Sequence, residues 1–469
     1  MIDVQTIATT SLGDRSYLAH DGRVALVVDP QRDIDRVLAL ADELGVRITH
    51  VAETHIHNDY VTGGLELAGR TGAAYLVDAR DDVGFDRTPV REGDDIVVGA
   101  MRLRPLATPG HTHHHLSYAL TETQASGSGA VTAVFTGGSM LYGTTGRTDL
   151  VSPADTVELT HAQYHSVRRL VDELPGAAVV YPTHGFGSFC SATPPSGEAS
   201  TVGDQRTVNP ALIQGEQEFV DTLIAGLGAY PAYYARMAPT NAAGPAPVDL
   251  SAPEPVGPVE LRARLEAGIA AGQWVVDLRE RTAFAAGHLV GSLSFQLAQP
   301  FVTYLGWLLP EDAELTLIGE TGEQVADARR ELVRIGIDRL VGAATGPLET
   351  LSDDAPLASY QVSDFPGLLA RDPEAVNVVD ARTENERAGG GVAGSLHIPL
   401  HEMLTRRHEV PDGEVWIYCG SGYRASVAAS LLAAEPGRAR ELIVINDDWP
   451  HATEAGLTIA HDQAPALAR

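Results

Sequence analysis

The chain has 469 residues, too many for one hydrophobic core, and its 44% apolar and 20% charged content is that of an ordinary globular protein of about three domains. A formal net charge of -29 argues against nucleic acid and anionic membranes as partners, and no apolar run approaches the ~20 residues of a membrane span. All 33 cationic side chains are arginine, which excludes Schiff-base lysine chemistry and the Walker-type phosphate lysine. Only two cysteines occur, so no disulfide framework is expected. The first residues lack a basic, then apolar, signal pattern, and a reducing, cytoplasmic setting is expected.

In chain order, Ser16–Ala19 and Val24–Val28 flank a turn at Asp21-Gly22 and read as a hairpin. A helical period over 33–44 and a strand from Ile48 to Thr54 follow. The strand delivers His55-Ile56-His57-Asn58-Asp59-Tyr60, which sets His55, His57 and Asp59 on one tight turn as potential metal ligands. Two further histidines sit beside glycine, His111 after Thr108-Pro109-Gly110 and His184 before Gly185. The Ala/Pro-rich segment 239–258 reads as an extended linker, and a shorter break lies at 352–356. The blocks expected are therefore 1–240, 256–350 and 357–469.

The last two blocks repeat a pattern: Val275-Val276-Asp277-Leu278-Arg279 in one, Val378-Val379-Asp380-Ala381-Arg382 in the other, each opening a parallel α/β sheet. In the final block the apolar run Val415–Tyr418 leads into Cys419-Gly420-Ser421-Gly422-Tyr423-Arg424 and then a helix-like run, 425–432. A cysteine between strand and helix meets converging backbone N–H groups and the positive helix end, which favour its thiolate. Gly420, Ser421 and Gly422 let the backbone wrap the sulfur, and Arg424 adds a charge that holds an anion. The middle block has Gly319 where the cysteine stands and Gln324 in place of the arginine, so it lacks a nucleophile.

The Cys419 loop resembles the active loop of the rhodanese sulfurtransferases, whose cysteine carries sulfur as a persulfide. It holds four residues between Cys and Arg, one fewer than the related loop of protein phosphatases, and suits a single sulfur atom. Both later blocks resemble the rhodanese domain, in which Asp-x-Arg (here Asp380 and Arg382) supports the active loop; the middle block reads as a degenerate spacer or docking surface. The N-terminal histidine motifs resemble the metallo-β-lactamase fold, an αββα sandwich. With Phe135-Thr136-Gly137, Gly146-Arg147-Thr148-Asp149 and the run His184 to Cys190, they look most like persulfide dioxygenases. Those enzymes oxidise glutathione persulfide to sulfite with one Fe(II) held by two His and one Asp. The fold class expected is thus multidomain α/β, similar to bacterial fusions of persulfide dioxygenase, pseudo-rhodanese and rhodanese.

Carried over, the iron ligands fall on His55 and His111, but Gly138 stands where the resemblance requires the aspartate, and Tyr60 where the superfamily usually has histidine. The Fe(II) site, with Zn as the alternative, is then weak or vacant unless His57, Asp59, His113 or His184 contributes. Cys190 is either a sulfur relay or an inert thiol, Arg147 either a substrate-carboxylate binder or a loop brace, and Tyr118 and Tyr142 are pocket-lining candidates. The function implied is sulfane-sulfur metabolism: a Cys419 persulfide, with a thiol persulfide, thiosulfate or sulfite as partner and a homodimer as one quaternary state. The alternatives are a metal-dependent hydrolase like glyoxalase II, or an N-terminal scaffold joined to a sulfur-carrier domain.

Overall fold

The computed structural model describes residues 2–124, 127–185, 187–193 and 197–461; Phe186 of the His184 motif and residues 462–469 of the expected last block lie outside them. The chain divides into two compact units, Met1–Asp249 with Glu331–Gly336, and Leu250–Arg330 with Ile337–Arg469.

Strands with two apolar faces build the first unit, because its sheets are covered on both sides. In the hairpin of β2 (Asp14–His20) and β3 (Val24–Val28), which follows β1 (Asp3–Thr9), Leu18, Ala25 and Val27 face one layer; Tyr17, Leu26 and Val28 face the other. The first sheet continues through β4 (Arg47–Ala52), β5 (Ala74–Asp78) and β6 (Thr88–Val90) in chain order. The second comprises β7 (Ile96–Val98), β8 (Met101–Ala107), β9 (Leu116–Gln124), β10 (Gly127–Gly137) and β11 (Val179–Pro182), with β10 pairing both β9 and β11. Helices α1 (Asp35–Leu44) and α2 (Gly64–Thr71) cover the outer face of the first sheet through Val37, Ala41 and Leu67. On the second sheet lie α3 (Thr156–Glu173), α4 (Val202–Val208), α5 (Pro210–Ile213) and α6 (Glu216–Gly226), packed through Val167, Leu170 and Phe219. The result is an αββα sandwich with three apolar layers. Tyr118 and Tyr142 belong to these layers rather than to a pocket: burial of their rings is satisfied by hydroxyl bonds to the Glu53 and Val180 carbonyls.

The segment expected to be an extended linker begins as helix. Residues 239–243 complete α7 (Tyr234–Ala243), with Pro239 inside it. A polar anchor replaces the missing apolar side chains. Buried Asn241 donates from Nδ2 to the His57 and Tyr60 carbonyls (2.9 and 2.8 Å) and accepts the Thr62 N–H at Oδ1 (2.9 Å). Those three backbone groups belong to the irregular loop after β4 and have no strand to pair with.

In the second unit a four-stranded parallel sheet runs Leu293–Ser294, Gln273–Asp277, Glu314–Gly319, Leu340–Thr345. A five-stranded parallel sheet runs Gln361–Ser363, Arg440–Ile445, Gly413–Tyr418, Asn377–Asp380, Leu396–His397. Each carries the same brace. Arg279 grips Asp277 through Nε and Nη2 (3.0 and 2.7 Å) and reaches the Gly287 carbonyl; Arg382 grips Asp380 at the same distances and reaches that of Gly390. Among the described residues no helix is long and apolar enough to cross a membrane.

Replacing Asn241 with Ala strands a buried amide and two carbonyls, so Asn241→Ala is expected to destabilise the first unit by about 1–3 kcal/mol. Differential scanning calorimetry of the full chain reads this as a lowered first or only transition; an unchanged thermogram contradicts the anchoring role.

Candidate functional sites

Two sites arise where strands end. In the first unit, the end of β4 turns at Thr54 into the histidine loop. Thr54 donates its hydroxyl to Asp29 Oδ2 (2.7 Å), so its oxygen accepts from His55 Nδ1 (2.9 Å), and His55 Nε2 is left as a bare lone pair. His111, delivered after β8, is fixed likewise: Nδ1 donates to the Arg147 carbonyl at 2.7 Å. His184, after β11, sets Nδ1 against Asp14 Oδ1 (3.0 Å) and Asp59 Oδ2 (3.1 Å), with Nε2 3.3 Å from His55 Nε2.

His57 differs from its neighbours. Its Nε2 lies 3.3 Å from Asp29 Oδ1, 3.2 Å from Glu53 Oε2 and 3.0 Å from the Tyr60 hydroxyl, and its ring stacks on Tyr60. Burial opposes its charge, but Asp29 and Glu53 outweigh burial and push it to about 9. His184 is raised to about 10 for the same reason, by Asp59 and Asp14 against burial, and Asp59 is held below the carboxylate range by His184. Burial, reinforced by neighbouring histidines, keeps His55 neutral and lowers His111 to about 3. Cys190 is fully buried, and burial together with Asp59 and Asp14 raises its thiol well above the ordinary range.

These side chains form buried groups whose ligand atoms lie within 4.8 Å of one another: His55, His57 and His184; His111, His184 and Cys190; Asp14, Asp59 and His184; Asp29, Glu53 and His57. Gly138 contributes no donor atom, and the His111 ring occupies the space beside it: a Cβ there would lie 2.2 Å from His111 Cδ2. His115 accepts the Gly138 N–H at Nε2 and bonds Thr108 through Nδ1, a structural histidine on both nitrogens. His113 pairs with Asp155 (3.4 Å) on the wall of a cavity of about 600 Å³. That cavity adjoins the histidine loops through Asn58 and Thr112 and is faced by Tyr230 and Tyr234. Arg147 is engaged throughout, bidentate on Asp149 (2.6 and 2.7 Å), bonded to the Phe189 and Gly228 carbonyls and stacked on Tyr230. It braces the loops around the cavity. Two residues that composition did not single out, Asp29 and Asn241, hold this loop in place; no spacing signal marks either one.

In the second unit, strand Gly413–Tyr418 delivers Cys419, and helix Tyr423–Ala433 leads away from it. The Gly422 N–H points at Cys419 Sγ (3.2 Å). Only glycine suits this position, because φ is +90° and a Cβ would sit 2.4 Å from Asn446 Oδ1. Gly420 and Ser421 complete the exposed side of the loop, the Gly420 carbonyl accepting from the Trp449 N–H and the Ser421 carbonyl from Arg281 (3.5 Å). Arg424 pairs in two places with Glu386 (2.5 and 2.7 Å), so its charge is balanced and its fork fixed. The Tyr423 hydroxyl donates to the Gln296 carbonyl, and Tyr304 lies beside both Tyr423 and Arg424. Asp380 and Arg382 sit one strand away, Asp380 accepting the Tyr418 hydroxyl at 2.7 Å and Arg382 stacking on Trp449. In the middle block Gln324 closes its own loop, accepting from the Glu320 N–H and donating to the Leu278 carbonyl.

The sandwich with buried histidines at its strand ends defines a metallo-β-lactamase-fold protein, and the model of the rhodanese-like domain matches residues 366–450, which contain the Cys419 loop. A crystal structure of a Staphylococcus aureus metallo-β-lactamase is similar at 28% identity and TM-score 0.65, over 74% of this chain and 99% of that one. Human mitochondrial persulfide dioxygenase ETHE1 is 30% identical over 213 residues, 45% of this chain and 74% of that protein. The chain belongs to the persulfide dioxygenase ETHE1 family. A hydroxyacylglutathione hydrolase of Rhodospirillum rubrum is 40% identical over a shorter stretch, 21% of this chain and 39% of that protein.

Burial opposes ionisation of Glu386, but Arg424 outweighs it and lowers the carboxyl from 4.5 to about 2. A depressed carboxylate stabilises the fold above its unfolded value, and that contribution disappears as pH falls from about 4.5 towards 2. The unfolding midpoint of the second unit is therefore expected to drop as pH falls from about 4.5 to about 2, and Glu386→Gln to flatten part of that drop. Parallel acid profiles for the two proteins contradict the pairing.

Proposed function

We propose that the chain is an enzyme of sulfane-sulfur metabolism whose active nucleophile is Cys419, a rhodanese-type sulfurtransferase built onto a persulfide dioxygenase scaffold. One observation carries this reading: within the matched rhodanese domain, Cys419 Sγ sits at a strand-to-helix junction with the Gly422 N–H directed at it. In the first half-reaction the thiolate attacks the outer sulfur of thiosulfate. The new Cys419 S–S bond forms as the donor S–S bond breaks, and sulfite leaves with the bonding pair. In the second, a thiolate acceptor attacks the outer sulfur of the Cys419 persulfide, takes it as a new thiol persulfide, and returns Cys419 as thiolate. The Gly422 amide and the helix end stabilise anionic sulfur in both states, while the Glu386–Arg424 pair fixes the loop that presents them. We read residues 256–350 as a degenerate rhodanese copy: it keeps the Asp277–Arg279 brace and lacks the nucleophile.

The iron triad that the family resemblance implies does not fit this pocket. Position 138 supplies no carboxylate, and the His111 ring fills the space that such a side chain would enter. No step of the reaction is therefore assigned to iron, and sulfur transfer at Cys419 is the activity proposed.

Cys419→Ser is expected to abolish transfer from thiosulfate to a thiol or cyanide acceptor, and Gly422→Ala to lower it by at least ~10-fold, since a bent loop withdraws the amide from the sulfur. Mass spectrometry of the wild-type chain after thiosulfate treatment should show one added sulfur on the Cys419 peptide. Transfer that survives Cys419→Ser overturns the assignment.

A further inference from the structure

The N-terminal pocket offers a donor set different from two histidines and a carboxylate. His111 is fully buried, and with Nδ1 given to the Arg147 carbonyl, its Nε2 has no hydrogen-bond partner among the described residues. An orphaned nitrogen in so dry a place needs a partner that hydrogen bonds do not provide. His184 turns Nδ1 towards Asp14 and Asp59, which leaves Nε2 as its inward atom. Cys190 is also fully buried, and the ligand atoms of His111, His184 and Cys190 lie within 4.8 Å of one another. One residue joins two of the three: the Arg147 N–H donates to the Cys190 carbonyl (2.8 Å), and the Arg147 carbonyl accepts from His111. His55 Nε2 is 3.3 Å from His184 Nε2 but is not among the ligand atoms that group with Cys190.

We propose that Cys190 is a metal ligand, and that His111, His184 and Cys190 form a zinc site in place of the family's iron site. Two imidazoles and a thiolate suit zinc, with the Asp59 carboxylate 3.1 Å behind His184, whereas non-haem Fe(II) in oxygenases is held by two histidines and a carboxylate and no thiolate. No side chain at 138 competes for the space in which the His111 ring stands, and the Cys190 sulfur would supply a negative charge to the site. On binding, the Cys190 S–H and His184 Nε2–H bonds break, the sulfur and the nitrogen keep their electron pairs and donate them to Zn(II), and the two protons pass to solvent. An ion held there would tie the loops after β8 and β11 together. The inference is independent of sulfur transfer at Cys419.

The full-length Cys419→Ser protein leaves Cys190 as the only thiol, since the chain has two cysteines. Titrated with Co(II), it is expected to bind one equivalent with a thiolate-to-cobalt charge-transfer absorption in the near ultraviolet. Loaded with Zn(II), it should show one sulfur at about 2.3 Å by X-ray absorption. Adding Cys190→Ser should abolish the charge-transfer band and weaken Zn(II) binding by at least ~10-fold, the loss that even an outer-shell partner's removal produces. If that double variant does not fold, the spectra of Cys419→Ser alone decide. Zinc bound only through nitrogen and oxygen, no zinc bound at all, or iron taken in preference from an equimolar mixture overturns the proposal.

Discussion

The carboxylate of Asp29 ties together the parts on which the N-terminal pocket depends. It sits at the end of β3 in the left-handed region (φ +51°), accepts the Thr54 amide and hydroxyl, both at 2.7 Å, and accepts the Thr183 hydroxyl from the other sheet. His57 faces the same group at 3.3 Å. A fully buried carboxylate without such partners would be several kcal/mol less favourable, so the positions of β3, β4 and β11 relative to one another are set by satisfying it. The Thr54 hydroxyl then passes the order outward, because donating to Asp29 obliges its oxygen to accept from His55. Asp29 thereby selects the tautomer of a side chain that it does not touch.

The histidines of this pocket look alike in sequence and are sorted by what their outer nitrogens meet. His55 and His111 face neutral acceptors, remain uncharged and present Nε2 inward. His57 faces two carboxylates and is held as a cation, a brace rather than a donor at Nε2. His115 uses both nitrogens in hydrogen bonds to Thr108 and Gly138. His184, like His57, faces two carboxylates and is raised, to about 10, so surroundings and not spacing set the charge of each ring.

The second unit shows the same division between frame and chemistry. Its two sheets share the Asp-x-Arg brace at nearly identical distances, so the duplicated architecture persists where the nucleophile does not. Gln324 satisfies the backbone of the silent loop, whereas the matching Arg424 is neutralised by Glu386 across a neighbouring helix. A neutral side chain can close its own loop; a buried guanidinium needs a carboxylate from elsewhere. The Cys419 loop is further held by groups of the middle block, through Arg281 on Asn446 and the Ser421 carbonyl.

The sequence by itself determined the strand-to-helix setting of Cys419, the repeated Asp-x-Arg strands and the histidine motifs of an αββα sandwich, because these are written in contiguous residues with period-2 or strand–loop–helix patterns. It also marked the glycine at 138. Only the tertiary structure decided what fills the space beside that glycine, which residues hold the loop after β4, and that Arg147 is fully paired. Asn241 lies in an Ala/Pro-rich stretch that reads as linker, yet it anchors a loop some 180 residues away through three hydrogen bonds. Such a role depends on long-range satisfaction of buried polar groups, which leaves no local pattern: the partners are distant in sequence, and any short amide side chain that arrives at the right point can meet them.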